Sequence, residues 1–224
     1  MKRVIILILS SHDHPIYKTM REVTRLCLNK MKSEYPLQHF FLEHHEQDDD
    51  LQIIDDVIKI KGEETLQTAI QKTHKALKYI NEHYDYDILV RTNLSSFWNI
   101  KQLYQIIEPL EKTNIATGII LFDWFMTGTG IIISKDVSIK LYNTISYDSR
   151  HNEDVAISDT LKSFINLQPL SHDNWLIPTE DTPLPDDLSN ILYFRVKSAG
   201  ERLYDGNLFK TLAKKIYNID CENL

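Results

Sequence analysis

Two neighbouring carboxylates, Glu153 and Asp154, and the cations Lys72, Arg91, Arg195, Lys197 and Arg202 are the side chains of this sequence best suited to chemistry. A positioned carboxylate can take a proton from an attacking hydroxyl. Guanidinium and ammonium groups can hold a small phosphate ligand. Arg195 and Lys197 are two apart, so on a strand they project from the same face, and Arg202 follows them. Each group also has a plainer reading. Asp154 stands where a helix should begin, and helix N-termini favour a carboxylate electrostatically. On position alone it reads as a cap, and the cations read as surface charges.

The elements that must place these groups alternate between strand-like and helix-like segments, the pattern of an α/β domain with a mainly parallel sheet. Val4 to Leu9 is a continuous apolar run, as for a central strand. Ile16, Met20, Val23, Cys27 and Met31 recur at helical spacing, and strands are predicted at 39–42 and 57–60. Leu66, Ala69, Ile70, Thr73, Ala76, Leu77 and Ile80 form one helical stripe, with Lys72 at its edge. A buried strand over 87–90 leads into Arg91-Thr92-Asn93-Leu94-Ser95-Ser96, and a helix with Ile100, Leu103, Tyr104, Ile107 and Leu110 follows. Strands over 118–122 and 130–134 flank a turn with Asp123, Trp124 and Gly128. Helices are predicted at 135–142 and 154–164, a loop over 170–188, a strand at 192–196 and a last helix through Leu208, Leu212 and Ile216. Ligands of open α/β sheets bind at the carboxyl ends of strands, where strand order reverses. That rule selects Ser10 to His14 and Thr92 to Ser96.

Bulk properties narrow the classes. The chain has 224 residues, with 25 Lys and Arg against 32 Asp and Glu, for a net charge of −7. Such a chain has no field to draw duplex DNA or an anionic membrane, so no nucleic-acid partner is expected. Only two cysteines, Cys27 and Cys221, are present, an intracellular, reduced pattern. The apolar run after Met1-Lys2-Arg3 is too short for a signal peptide, and no stretch is long enough to span a bilayer. A cytoplasmic protein is expected. The sequence has no P-loop, GxGxxG or GxSxG, which argues against a kinase, dehydrogenase or α/β-hydrolase. Asp48-Asp49-Asp50 reads as a solvated acidic turn, and His12, His14, His44 and His45 lack zinc-ligand spacing.

Three motifs occur in a recognisable order. Residues 53–58 and Glu64-Thr65-Leu66 lead through Lys72-Thr73 to Asp87-Ile88-Leu89-Val90-Arg91-Thr92-Asn93; then come Gly128-Thr129-Gly130-Ile131-Ile132-Ile133-Ser134 and Glu153-Asp154-Val155. Over roughly residues 53–158 this order resembles the β-1,3-galactosyltransferase and Fringe type of GT-A glycosyltransferase. The compact size and the Arg-Thr-Asn-Leu-Ser-Ser-Phe segment are also similar to small GT-A enzymes of large DNA viruses. The resemblance implies a GT-A-like α/β fold in one domain over 1–224, with a donor-nucleotide half at 1–99 and an acceptor half at 100–224. It implies transfer from a nucleotide-sugar, a UDP-sugar foremost, to a hydroxyl of a glycan or glycoprotein acceptor, with inversion.

On that resemblance Asp154 is the catalytic base and Glu153 the second choice. Ser10, Ser11 and His12 contact the nucleotide, unless Ser11 or Asp13 only caps the helix from Pro15. Lys72, Arg91, Thr92, Asn93, Ser95, Arg195, Lys197 and Arg202 belong to the donor side. Trp124, with Phe125 beside it and Gly128 and Thr129 following, belongs to the acceptor side, although aromatics there also read as core. One departure matters. Where the family has a DxD motif for Mn²⁺ or Mg²⁺, this chain has Asn93-Leu94-Ser95, which offers neutral oxygens only. The cations are therefore expected to replace the metal partly or wholly at the leaving diphosphate. The competing readings are a non-catalytic sugar- or nucleotide-binding module, and a nucleotidyltransferase, which should carry a glycine-rich basic loop after the first strand.

Overall fold

The computed structural model describes residues 1–11, 15–145, 152–179, 182, 184–198, 203–222 and 224. Its centre is an eight-stranded sheet of order β3-β4-β2-β1-β5-β8-β7-β9. The strands are β1 (Val4–Leu9), β2 (Leu37–His45), β3 (Leu51–Ile54), β4 (Val57–Lys61), β5 (Ile88–Asn93), β7 (Ala116–Leu121), β8 (Phe125–Ser134) and β9 (Gln168–Pro169). β4, β2, β1 and β5 run parallel, while β3 and β8 run against their neighbours. The sheet is thus mixed, with a parallel centre.

β1 shows why its sequence is apolar throughout. Val4, Ile6 and Ile8 enter the core on one face, Ile5 and Leu7 the core on the other, because successive side chains alternate across a strand. The first core is closed by α1 (Pro15–Met31), α3 (Ile100–Ile107) and α6 (Leu203–Tyr217); the second by α2 (Ala69–His83), α4 (Lys135–Thr144) and α5 (Glu153–Lys162). This is the GT-A-like α/β layering expected.

Several expectations need correction. The helix expected from Leu66 starts at Ala69, and Leu66 is 78% exposed. Lys72, placed at the edge of the apolar stripe, is wholly buried. Leu51–Ile54 forms an edge strand with no expected counterpart, turning at Asp55 with φ of 54°. A second sheet is also new: β10 (Trp175–Leu176) pairs with β11 (Tyr193–Arg195), which runs antiparallel to β6 (Ser96–Trp98). It forms because the C-terminal strand returns to the segment after β5, setting Arg195 opposite Ser96.

Two features shape the site side of the sheet. β5 pairs with β8 only through Arg91 opposite Ile131, so residues 125–130 of β8 run on past the end of that ladder. Phe122 and Asp123 turn the β7–β8 hairpin with φ of 52° and 58°, and Trp124 N–H closes it on the Leu121 carbonyl at 3.1 Å.

Candidate functional site

At the carboxyl ends of β1 and β5 lies an open cleft of about 370 Å³. Ser10 and Ser11 line it after β1, Lys72 comes from α2, Asn93 ends β5 and Ser95 follows it. Arg195 and Lys197 close it from the C-terminal strand. The strand-end rule therefore selected both loops that form the cleft, and five of the expected donor-side groups besides Ser10 and Ser11 meet there. The pair Arg195 and Lys197 do share one side, as alternation requires, with Phe194 and Val196 buried between and beside them. Arg202, His12 and Asp13 lie outside the described residues.

Arg91, expected on the donor side, is not among the residues that line the cleft. It is 3% exposed. Its Nε donates to Glu153 Oε1 at 2.8 Å and a terminal nitrogen to Glu153 Oε2, while Thr73 Oγ1 donates to Glu153 at 2.5 Å. Burial pushes the Glu153 carboxyl above the usual range, against the pull of Arg91 and Thr73. Glu153 is consequently committed to the interior and cannot serve an acceptor hydroxyl. The other terminal nitrogen of Arg91 donates to Asn93 Oδ1 at 3.0 Å and to the Gly128 carbonyl.

Asp154 also lies against Gly128, on the face where a Cβ would project. It opens α5 beside Glu153, its Oδ2 accepts from the Gly128 N–H at 3.1 Å, and it remains half-buried. A Cβ on Gly128 would lie 2.5 Å from the Arg91 nitrogen and 3.3 Å from Asp154 Oδ2. Glycine at 128 is thus a matter of space: a side chain there would separate Arg91 from Asp154. Gly128 acts through its backbone.

Thr92 and Thr129 are also turned inward. Thr92 Oγ1 accepts from Trp98 Nε1 at 2.9 Å and donates to the Thr129 carbonyl at 2.6 Å. Thr129 Oγ1 meets the Tyr193 hydroxyl at 2.9 Å. Both are buried, and their hydrogen bonds tie β5, β8 and β11 to each other. Trp124 is partly exposed at the hairpin tip, 4.9 Å from the Phe125 ring and with Lys162 Nζ 5.3 Å from its centroid. It precedes Gly128 by four positions, roughly 13 Å of extended strand, so its ring does not stand over Asp154.

Under the cleft floor, a charged network fixes the donor-side loops. Lys72 Nζ donates to the Ser10 carbonyl at 2.9 Å and to Glu64 Oε1 at 2.5 Å, and burial pushes its pKa down against the pull of Glu64. Glu64 Oε2 accepts from the His44 N–H at 3.0 Å. Ser10 Oγ donates to Glu43 at 2.9 Å, and Glu43 is paired with Arg21. Burial raises Glu43, but Arg21, Ser10 and His45 together hold it below the usual range. Glu43, Arg21 and Glu64 carry no sequence signal of their own: each finds its partner only because β2 and α2 lie beside β1. Glu64 opens the Glu64-Thr65-Leu66 segment of the motif order, which gives it no role by itself.

A metal ion fits this cleft poorly. A hard divalent cation needs several oxygen ligands, carboxylates foremost. Among the cleft's described lining residues the only carboxylate is Glu64, and Lys72 is bonded to it. Asn93 Oδ1 already accepts from Arg91 and Ser95 Oγ from Arg195. Among the described residues no group of three or more His, Cys, Asp or Glu is placed to hold a metal, and no helix is long and apolar enough to cross a membrane.

No protein-family model matches the sequence, and no curated protein does either. Solved structures do share the fold. A glycosyltransferase involved in the glycosylation of the major capsid of PBCV-1 superposes with a TM-score of 0.61 at 9% identity, over 92% of this chain and 99% of that one. The galactosyltransferase LgtC, solved with donor and acceptor sugar analogs, gives 0.56 at 10% identity, over 97% and 98%. The inositol-1-phosphate CTP transferase from T. maritima gives 0.54 at 9% identity, over 99% and 98%. Such identities carry the fold alone, and this fold serves sugar transfer and nucleotidyl transfer alike.

Proposed function

We propose that this chain is a glycosyltransferase that moves a sugar from a nucleoside-diphosphate sugar to an acceptor hydroxyl. One observation carries the reading: Asp154, half-buried and oriented by the Gly128 N–H, is joined through Gly128 and Arg91 to Asn93, which lines the cleft with Ser95, Arg195 and Lys197. A carboxylate base tied to an anion-binding wall by a short chain of hydrogen bonds suits displacement at an anomeric carbon. The fold shared with two glycosyltransferases supports the same reading.

In the proposed reaction the acceptor oxygen attacks the anomeric carbon as the Asp154 carboxylate takes its proton. The bond from that carbon to the diphosphate oxygen breaks, and the nucleoside diphosphate leaves with the electron pair. A single displacement of this kind inverts the anomeric centre. Ser11, in the cleft wall after β1, holds the nucleotide end, a UDP-sugar being the first choice, while Ser10, bonded to Leu42, Lys72 and Glu43, fixes the loop that presents it. The absence of a glycine-rich basic loop after β1 favours sugar transfer over nucleotidyl transfer, since residues 10 and 11 are serines.

The test is a screen of UDP-, GDP-, CDP- and ADP-sugars for slow hydrolysis and for transfer to simple glycosides. Release of one nucleoside diphosphate supports the reading. Binding of a nucleotide without any turnover would leave a binding module in its place.

A further inference from the structure

The two positions where the resemblance places metal-ligating carboxylates have reversed hydrogen-bonding polarity in this chain. Asn93 Oδ1 accepts from the Arg91 guanidinium at 3.0 Å. A guanidinium has donors only, so the amide oxygen must be the atom that faces it. The amide NH₂, with its two donors, is then the end left for the cleft that Asn93 lines. Ser95 follows the same logic: its Oγ accepts from Arg195, so its own hydroxyl hydrogen points elsewhere, and Ser95 also lines the cleft. Both oxygens that a cation would seek are taken up by arginines, and both residues present hydrogens to the ligand.

The charges agree. Arg195 and Lys197 line the cleft, Lys72 balances Glu64, the one carboxylate among its described lining residues, and Arg91 stands buried behind Asn93. Lys197 is exposed and no described residue bonds to its ammonium. A divalent cation entering here would meet positive charge on several sides and few lone pairs. The non-bridging oxygens of a diphosphate are acceptors only and carry negative charge, the complement of this wall.

We infer that the cleft binds the diphosphate of its ligand directly, without a bridging divalent cation, through the Asn93 amide, the Ser95 hydroxyl, Arg195 and Lys197. The inference rests on the proposed nucleoside-diphosphate ligand, but its test separates the two. Lys197 is the residue free to follow the charge as it moves to the leaving group; Asn93 and Ser95 are held in place by the arginines behind them.

The experiment is isothermal titration of the full chain with inorganic pyrophosphate and with UDP, GDP, CDP and ADP, each in EDTA and in Mn²⁺. Binding in EDTA within about threefold of that in Mn²⁺ is expected for the preferred probe, and raising the salt should weaken it. Asn93→Asp removes the donors and adds a repelling charge, so affinity in EDTA should drop about tenfold or more, and Mn²⁺ should not restore it. Lys197→Ala, at an exposed position that leaves the fold intact, should weaken binding to a similar extent. Binding seen only with Mn²⁺, no binding of any probe, or an Asn93→Asp variant that binds more tightly with Mn²⁺ than the wild type does in EDTA would each overturn the inference. Hydrolysis of a nucleotide-sugar that requires Mn²⁺ would overturn it while sparing the transferase reading. Metal-free binding with no turnover would do the reverse.

Discussion

Arg91 grips Glu153 with two nitrogens while its third reaches both Asn93 and the Gly128 carbonyl, and Gly128 in turn holds Asp154. One buried guanidinium thus ties the end of β5 to the start of α5 through β8. Because Arg91 and Glu153 are both shut off from water, each is the other's charge partner, with Thr73 completing the shell of Glu153 and Asn93 and Gly128 that of Arg91. Their role is to set the distance between the cleft wall and the carboxylate beside it.

Removing one partner should therefore be costly. Glu153→Ala or Arg91→Ala is expected to lower unfolding free energy by about 3–5 kcal/mol, because a buried charge is left alone. Replacing both with apolar residues of similar size, Arg91→Met with Glu153→Leu, should recover much of that loss. Urea denaturation of the three variants measures it, and single-variant losses under about 1 kcal/mol would contradict the buried pairing.

Gly128→Ala should damage activity more than stability. The new methyl must displace the Arg91 nitrogen, 2.5 Å away, or push on Asp154 at 3.3 Å. A shift of that kind is expected to reduce kcat by roughly 10²-fold for a stability cost of about 1–3 kcal/mol. Parallel kinetics and thermal melts check it; an active Gly128→Ala enzyme would show that the spacing is immaterial.

Asp154→Asn should lower kcat by roughly 10²–10⁴-fold, the scale of a lost general base, and leave nucleotide affinity unchanged, because Asp154 is not among the residues that line the cleft. The Asn side chain can still accept from the Gly128 N–H, so the fold should survive. Steady-state rates beside titration with the preferred nucleotide separate the two effects. Loss of binding along with rate would place Asp154 on the donor instead.

Acid should destabilise the protein through His44. Burial holds its imidazole down to about 4, with the Lys72 cation adding to the effect, against an ordinary value of 6.5. The folded protein keeps His44 neutral while the unfolded chain takes up a proton, so stability falls as pH drops from about 6.5 towards 4. His39, also buried and lowered, acts in the same direction. Unfolding free energies across that range should slope downward towards acid, and His44→Phe should flatten part of the slope.

Much of the architecture was legible in the sequence because local patterns carry it. The apolar run of β1, the 3.6-residue stripe of α1 and the order of the three motifs each depend on neighbours in the chain, and the strand-end rule then pointed to Ser10 and Asn93 without any tertiary information. Leu66 misled because it continues the stripe of α2 in phase, yet the helix begins three residues later.

What the tertiary structure alone decided is how the polar side chains are spent. The sequence determined that Arg91, Asn93, Gly128, Glu153 and Asp154 exist and that they fall in the order of a GT-A core. It could not tell that Arg91 is consumed by Glu153, that the Asn93 amide oxygen is taken by Arg91, or that Arg195 returns across a hundred positions to Ser95. The reason is physical: burial and hydrogen-bond partners are properties of contacts between distant segments, and a polar group's role depends on which of its donors and acceptors those contacts leave unused.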